Sequence, residues 1–181
     1  MRFNNYLNEI ELPSKKWVTV KLSDLDSDVL DVLWKMYVNT YKKEGLDLSA
    51  NGPNELQGKY EATCLIDIDK DDNPDAFIIY RKTKHGNKIA LLGTDGQKES
   101  KNVLVKKFTS LLKSKGWVIE ASKKMEEICK KSGLNVVDNE LLVREILGPK
   151  KQVEWLEDGY YNRSLSLSGK LIKKRMYGNA K

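Results

Sequence analysis

Residues 88–122 decide the fold of this chain, and they read KIALLGTDGQKESKNVLVKKFTSLLKSKGWVIEAS. An apolar run, Lys88–Gly93, leads into a polar loop that contains Gly96 and then into an amphipathic segment from Lys101 to Lys115. A second apolar run, Trp117–Ala121, follows the next glycine. The pattern predicts a strand, a loop, a helix and a strand. A helix that begins after such a loop directs its first backbone N–H groups towards a phosphate or another anion.

The flanking sequence predicts further strands and helices around this core. Two strands separated by turn residues precede Lys88 and form with it an antiparallel meander. The segment Leu46–Tyr60 predicts a long loop, of the kind that often closes over a substrate or partner. The other predicted elements are a strand at Trp17–Leu22, a helix at Val29–Glu44, strands at Ala62–Ile68 and Ala76–Thr83, a helix capped by Ser122, a short helix from Asp138 or Asn139 to Leu147, and a hairpin of Val153–Leu167 with Leu171–Tyr177.

Composition places the chain among cytoplasmic globular proteins. Its 181 residues favour a single domain over 1–181, with 40% hydrophobic and 32% charged residues. No apolar run reaches the length of a membrane span, and the N-terminal residues lack the apolar core of a signal peptide. Cys64 and Cys129 are too few for a disulfide framework. We therefore predict a cytoplasmic location with both thiols reduced and no membrane partner.

Positive charge is concentrated at the C-terminal end. Residues 150–181 hold eight Lys or Arg against three acidic residues, a net charge of +5 out of +6 for the whole chain. Such a segment favours polyanionic partners such as nucleic acid or the phosphates of a coenzyme. A solvated, lysine-rich surface is the alternative interpretation.

The sequence offers little material for a metal site. The acidic run Asp67–Asp72 resembles a calcium loop, but it lacks the required glycine and the distal glutamate. His85 is the only histidine, so a zinc site or a histidine-based catalytic triad is not expected. We predict no metal.

Two groups of residues are candidates for chemistry. Gly93 and Gly96 would let the backbone approach a ligand closely, with Lys98 and Lys101 at the start of the helix. An ordinary turn with a solvated helix start remains the alternative. The C-terminal tyrosines, including Tyr160, could supply a general acid or could stack on nucleic-acid bases, and a half-buried hairpin would also favour them.

The order of the predicted elements resembles the GNAT acyltransferase superfamily, including GNAT-like proteins encoded by tailed bacteriophages. The similarity covers roughly Trp17 to Tyr177 and depends most on residues 91–112 and 117–121. It implies an α/β (α+β) fold with a mixed, mostly antiparallel central sheet flanked by helices. The family's loop after the fourth strand reads Gln/Arg-x-x-Gly-x-Gly/Ala, whereas this chain has a degenerate form of it between Gly93 and Asn102.

The resemblance implies acetyl-CoA as the acyl donor and an amine as the acceptor. It assigns the binding of the donor to the end of the fourth strand and to the loop after it, namely Leu91, Leu92, Gly93, Gly96, Gln97, Lys98, Ser100, Lys101 and Asn102. It further implies that Asp95 or Glu120 deprotonates the amine, and that Tyr160 or Tyr161 protonates the departing thiolate. The expected function is acyl-CoA-dependent N-acyl transfer.

A second function follows from the uneven charge and the degenerate loop. The chain could be a non-catalytic GNAT-like phage protein that binds nucleic acid or a host protein through its basic C-terminal hairpin at about 150–181. Both alternatives place the protein in the cytoplasm, which is that of the host if a phage encodes it.

Overall fold

A computed structural model describes residues 16–43, 51–54, 63–69, 71, 73–149, 151–163 and 172–181. Among these residues, eight strands form one mixed sheet, in which β1–β2, β2–β3, β5–β8, β7–β8 and β6–β7 are antiparallel and β4–β5 is parallel. Their order is β1-β2-β3-β4-β5-β8-β7-β6. The elements are β1 Lys16–Lys21, α1 Ser27–Lys43, β2 Thr63–Ile68, β3 Pro74–Thr83, β4 Gly86–Thr94, α2 Lys98–Lys113, β5 Trp117–Ala121, α3 Lys123–Lys131, α4 Glu140–Leu147, β6 Val153–Trp155, β7 Tyr160–Arg163 and β8 Ile172–Asn179. The predicted fold class is therefore confirmed.

The first of two compact units contains the described residues up to Arg81 together with Leu91–Val105. Its core consists of the apolar face of α1 against the strands, where Leu33, Tyr37 and Phe77 are completely buried. The helix begins at a cap, since the Asp26 carboxylate accepts the N–H of Val29 at 2.9 Å. The predicted helix and its apolar spacing thus follow from burial of one helical face.

The second unit contains Lys82–Ala90 and Lys106–Lys181. Side chains of directly paired strand residues lie on the same face of a sheet, so the registers of β5, β7 and β8 define two faces. The face packed by α4 carries an apolar cluster of Val118, Val143, Ile146, Leu147, Val153, Tyr161 and Met176, together with Val137. We call it the α4 face, and we call the opposite face, which carries Tyr160, Arg175 and Tyr177, the α3 face.

Both short helices of this unit begin where the sequence predicts. The Ser122 hydroxyl accepts the N–H of Met125, and the Asn139 side chain accepts the N–H of Leu142 at 3.0 Å. Each cap satisfies an N–H group that has no partner within the helix.

Several predicted boundaries differ from the structure by a few residues, and two differences change an element that carries candidate site residues. Helix α2 begins at Lys98, three residues before the predicted start at Lys101. The prediction missed this first turn because the turn is polar and shows no apolar periodicity. The segment predicted as one strand from Val153 to Leu167 contains two antiparallel strands, β6 and β7. Asp158 and Gly159, with φ of 58° and 73°, turn the chain between them. The predicted tip of the C-terminal hairpin and most of the predicted loop Leu46–Tyr60 lie outside the described residues.

None of the helices that the structure describes is long and apolar enough to cross a membrane.

The close antiparallel pairing of β5 and β8 requires glycine at position 178. Gly178 has a φ of +126°, and a Cβ atom there would lie 2.1 Å from the Trp117 carbonyl oxygen. We expect Gly178→Ala to lower the free energy of unfolding by about 3 kcal/mol or more, since backbone atoms would have to separate. Gly133→Ala is the matched control, because its φ is +65° and no atom lies within 4 Å. Gly133→Ala should lower the free energy of unfolding, measured in urea, by only about 1 kcal/mol. Equal losses of stability in the two variants would contradict the steric argument.

Candidate active site

The loop between β4 and α2 is held by its own side chains. The Thr94 hydroxyl accepts the N–H of Gly96 at 3.1 Å, and the Asp95 carboxylate accepts the N–H of Gln97 at 2.9 Å. Gly96 has a φ of +97°, and a Cβ atom there would lie 3.2 Å from Nζ of Lys43. Two of the loop N–H groups that could have bound a ligand therefore already have internal acceptors.

The start of α2 is the part of this loop that fits an anion. Its first turn begins at Lys98, and the N–H groups of a first helical turn point out of the helix end. Lys98 and Lys101 are exposed there, and Nζ of Lys43 lies near Gly96. The Asp95 carboxylate competes with such an anion, since it already accepts the N–H of Gln97 directly before the helix and brings a negative charge to this end.

Strand β4 carries a second notable feature. Its parallel pairing with β5 comprises three residue pairs and ends with Ile89 opposite Ile119, although β4 continues to Thr94. Leu91, Leu92 and Gly93 in this continuation are buried. A Cβ atom at Gly93 would lie 2.6 Å from the Phe77 ring, so only glycine fits there.

A polar cluster lies on the α4 face of the second unit around the Glu120 carboxylate. Arg163 donates to one carboxylate oxygen, and the Tyr161 hydroxyl donates to the other at 3.0 Å. The side chain of Glu120 is only 7% exposed. Burial alone would raise the pKa of Glu120, but the charges of Lys88, Arg163 and Lys174 and the hydrogen bond from Tyr161 outweigh it and hold the pKa below its usual range.

Tyr161 is held firmly in its protonated form. Its side chain is completely buried, and its ring stacks on Trp155 with centroids 6.2 Å apart. Burial, and then the neighbouring negative charge of Glu120, raise the pKa of this phenol. The group is therefore a weak acid whose proton is already shared with a carboxylate.

Tyr160 occupies a different environment on the α3 face. Its hydroxyl donates to the Glu126 carboxylate, and Nζ of Lys130 lies 3.4 Å from the hydroxyl oxygen. Nζ of Lys173 and Cζ of Arg175 lie 4.1 and 3.9 Å from the centre of its ring. The ring thus binds cations of its own chain.

The structure distributes the predicted site residues between the two units. Asp95, which is exposed, and all nine predicted donor-binding residues belong to the first unit, whereas Glu120, Tyr160 and Tyr161 belong to the second. Among the donor-binding residues, Ser100 is buried with the end of β4, and Gln97 and Asn102 are exposed. Glu120 and Tyr161 are in direct contact, but Tyr160 is on the other face. Sequence reasoning missed the partners Arg163, Lys174, Glu126 and Lys130, which only strand register and helix packing bring to these side chains.

Among the described residues, no three His, Cys, Asp or Glu side chains are grouped so that they could hold a metal ion.

Comparison with known proteins gives a likeness of fold. No protein-family model and no curated protein sequence matches the chain. The AHL synthase LasI is similar in structure at 12% identity, over 92% of this chain and 90% of that one, with a TM-score of 0.57. A spermidine N-acetyltransferase SpeG chimera from Vibrio cholerae and hSSAT aligns at 8% identity over 93% and 96%, with a TM-score of 0.51. A ribosomal-protein alanine N-acetyltransferase from Escherichia coli aligns at 8% identity over 91% and 94%, with a TM-score of 0.50.

These likenesses span nearly the full length of each chain. The mixed sheet and the four α-helices of the described residues match the fold of these enzymes. The chain therefore has the GNAT fold.

We expect Glu120→Gln to lower the free energy of unfolding by about 3 kcal/mol at pH 7, because it leaves buried cations without their carboxylate. The lowered pKa of Glu120 means that its contribution is present at neutral pH and is lost as the pH falls through the folded-state pKa. The difference from wild type should therefore shrink below about pH 4. Glu154→Gln, at an exposed carboxylate, is the control. Urea titrations at several pH values measure both, and a pH-independent difference would contradict the charge argument.

Proposed function

We propose that this protein is an acyl-CoA-dependent N-acyltransferase, with acetyl-CoA as the simplest donor and an amine as the acceptor. The observation that carries the proposal is the end of the β4–β5 pairing after Ile89, while β4 continues for five residues. A strand edge whose ladder has ended can hydrogen-bond an extended ligand along its backbone. The likeness of fold to N-acetyltransferases supports this use of the edge.

The donor would be bound by β4 and the start of α2. Leu91, Leu92 and Gly93 would lie along the acyl-bearing arm, and a peptide N–H of β4 would polarise the thioester carbonyl. The phosphates would lie at the first turn of α2, near Lys98, Ser100 and Lys101. Gly96, Gln97 and Asn102 complete the proposed phosphate loop, although Asp95 opposes an anion there.

In the proposed reaction, the amine nitrogen attacks the thioester carbon, a C–N bond forms, and the C–S bond breaks. The attacking amine must lose a proton, and the departing thiolate must gain one. Holding both substrates together would supply much of the rate enhancement by orientation.

We propose Tyr160 as the proton donor. Each tyrosine hydroxyl donates to a carboxylate, that of Tyr160 to Glu126 and that of Tyr161 to Glu120. Tyr160 is the better candidate because it is only partly buried and has Nζ of Lys130 within 3.4 Å, which could restore the proton after transfer, whereas Tyr161 is completely buried. Glu120 would be a poor base because surrounding cations lower its pKa. We therefore assign Glu120 and Tyr161 a positioning role and retain Asp95 as the proposed base.

The runner-up function is binding of nucleic acid by the basic C-terminal strands. Lys130, Lys173 and Arg175 surround Tyr160 on one face, which favours contacts with phosphates. The ring already binds two cations, so base stacking on Tyr160 has less support. Binding that weakens steeply with salt and disappears in a Lys173→Met, Arg175→Met double variant, together with no affinity for CoA, would favour this function. A phage origin and a cytoplasmic location remain predictions.

Binding of the donor can be tested by calorimetric titration with acetyl-CoA and with CoA. We expect Lys98→Glu to weaken binding by about tenfold, because it replaces a cation by an anion at the helix start. Asp95→Asn should tighten binding several-fold by removing the competing carboxylate. Lys106→Glu, on an exposed position further along α2, makes the same charge change as Lys98→Glu and should have little effect. Absence of binding at millimolar donor would remove the proposal.

Catalysis can be tested by thiol release with an acceptor panel. Tyr160→Phe should lower kcat by at least about 100-fold with little change in KM for the donor, as expected for loss of a general acid. Lys130→Gln should lower kcat less, and Lys131→Gln, at the exposed neighbour, should leave it unchanged. An unchanged kcat in Tyr160→Phe would exclude Tyr160 as the acid.

A further inference from the structure

The polar cluster on the α4 face contains more than the proposed reaction uses. It consists of Lys88, Glu120, Tyr161, Arg163 and Lys174, all in the second unit. The registers place these residues together: Lys174 is opposite Tyr161, Met176 is opposite Glu120, and Lys88 is opposite Val118. We refer to it as the Glu120 cluster.

The Glu120 cluster brings several cations close to one carboxylate. Three cations surround one carboxylate, and that carboxylate already accepts from Arg163 and Tyr161. No described carboxylate forms an ion pair with Lys174, which feels Glu120 only at longer range. Burial lowers the pKa of Lys174, with the nearby charge of Arg163 acting in the same direction. A half-buried charge without a close partner is costly to a folded protein.

The Glu120 cluster combines buried side chains with two partly exposed cations. Tyr161 and Met176 are completely buried beneath it, and the Glu120 side chain is nearly so. Arg163 keeps 27% of its side chain exposed, and Lys174 is also partly exposed. A ligand could therefore reach the two cations of the rim, while Glu120 holds Arg163 in place.

We propose that the Glu120 cluster binds a carboxylate or phosphate group through Lys174 and Arg163. Resting on the proposed function, this means that the acyl acceptor is an amine that carries such a group. An anion would supply a close partner for Lys174, which has no ion pair with any described carboxylate, and would form charge-assisted hydrogen bonds with both side chains. A polycationic amine would instead be repelled by the three cations.

The site is tested first by direct binding, without any acyl transfer. Inorganic phosphate and acetate are titrated separately at constant ionic strength, and the chemical shifts of the protein are followed by NMR. Lys174→Met should raise the dissociation constant for the anion, obtained from the chemical shifts of Tyr161 and Arg163, by at least about tenfold. Lys173→Met is the matched control, since the adjacent lysine lies on the opposite face. Equal effects of the two variants, or no saturable shift with either anion, would overturn the proposal.

A second experiment tests whether the site selects the acceptor. Pairs of amines that differ only in a carboxylate or its amide are compared in the thiol-release assay with acetyl-CoA. We expect kcat/KM at least about tenfold higher for the carboxylate member, and Lys174→Met should abolish that preference. Turnover without any preference would overturn the proposal and leave the acyltransferase function intact. Anion binding lost in Lys174→Met, without turnover of any amine, would support the site and reject the acyltransferase function.

Discussion

The short parallel ladder between β4 and β5 is the constraint on which the candidate active site depends. Because it ends at Ile89, the rest of β4 presents a backbone edge before the chain enters the loop. The close packing of Gly93 on Phe77 fixes where that edge runs, and the loop then delivers α2 at Lys98. One continuous stretch of chain, from the end of β4 to the start of α2, could thus bind both an extended ligand and its anionic end.

The C-terminal strands separate two kinds of polar chemistry by strand alternation alone. Neighbouring tyrosines lie on opposite faces, so that one shares its proton with buried Glu120 and the other contacts Glu126 on α3. The same alternation separates Lys173, which lies over an aromatic ring, from Lys174, which lies beside the Glu120 cluster. Adjacent residues of the same type, such as Lys173 and Lys174, therefore lie in different chemical environments.

Most of the fold could be predicted from local signals. Apolar periodicity and caps predicted α1, α3 and α4, and the central strands followed from apolar runs between turn residues. The early start of α2 was not predicted because its first turn is polar. The break between β6 and β7 was not predicted because it depends on Asp158 in a left-handed conformation, which few non-glycine residues adopt.

The candidate site was less predictable than the fold. Glu120 and Tyr161 were candidates through the family resemblance, as an acidic residue near the predicted site and a C-terminal tyrosine, but their partners are far away in the sequence. Arg163 is 43 residues from Glu120, and Glu126 is 34 residues from Tyr160. Such pairs are set by sheet register and helix packing, which no local pattern encodes.

Each compact unit is assembled from two separated stretches of chain, so neither unit can be completed on the ribosome before its later stretch has been synthesised. The core of the first unit includes Leu91, which is synthesised only after the start of β4. The second unit includes Lys82–Ala90, but its remaining strands lie between Trp117 and Asn179, and β8, which joins β5 to β7, is synthesised last. Early chain segments must therefore wait for later ones, and no single cut of the polypeptide would yield either half intact.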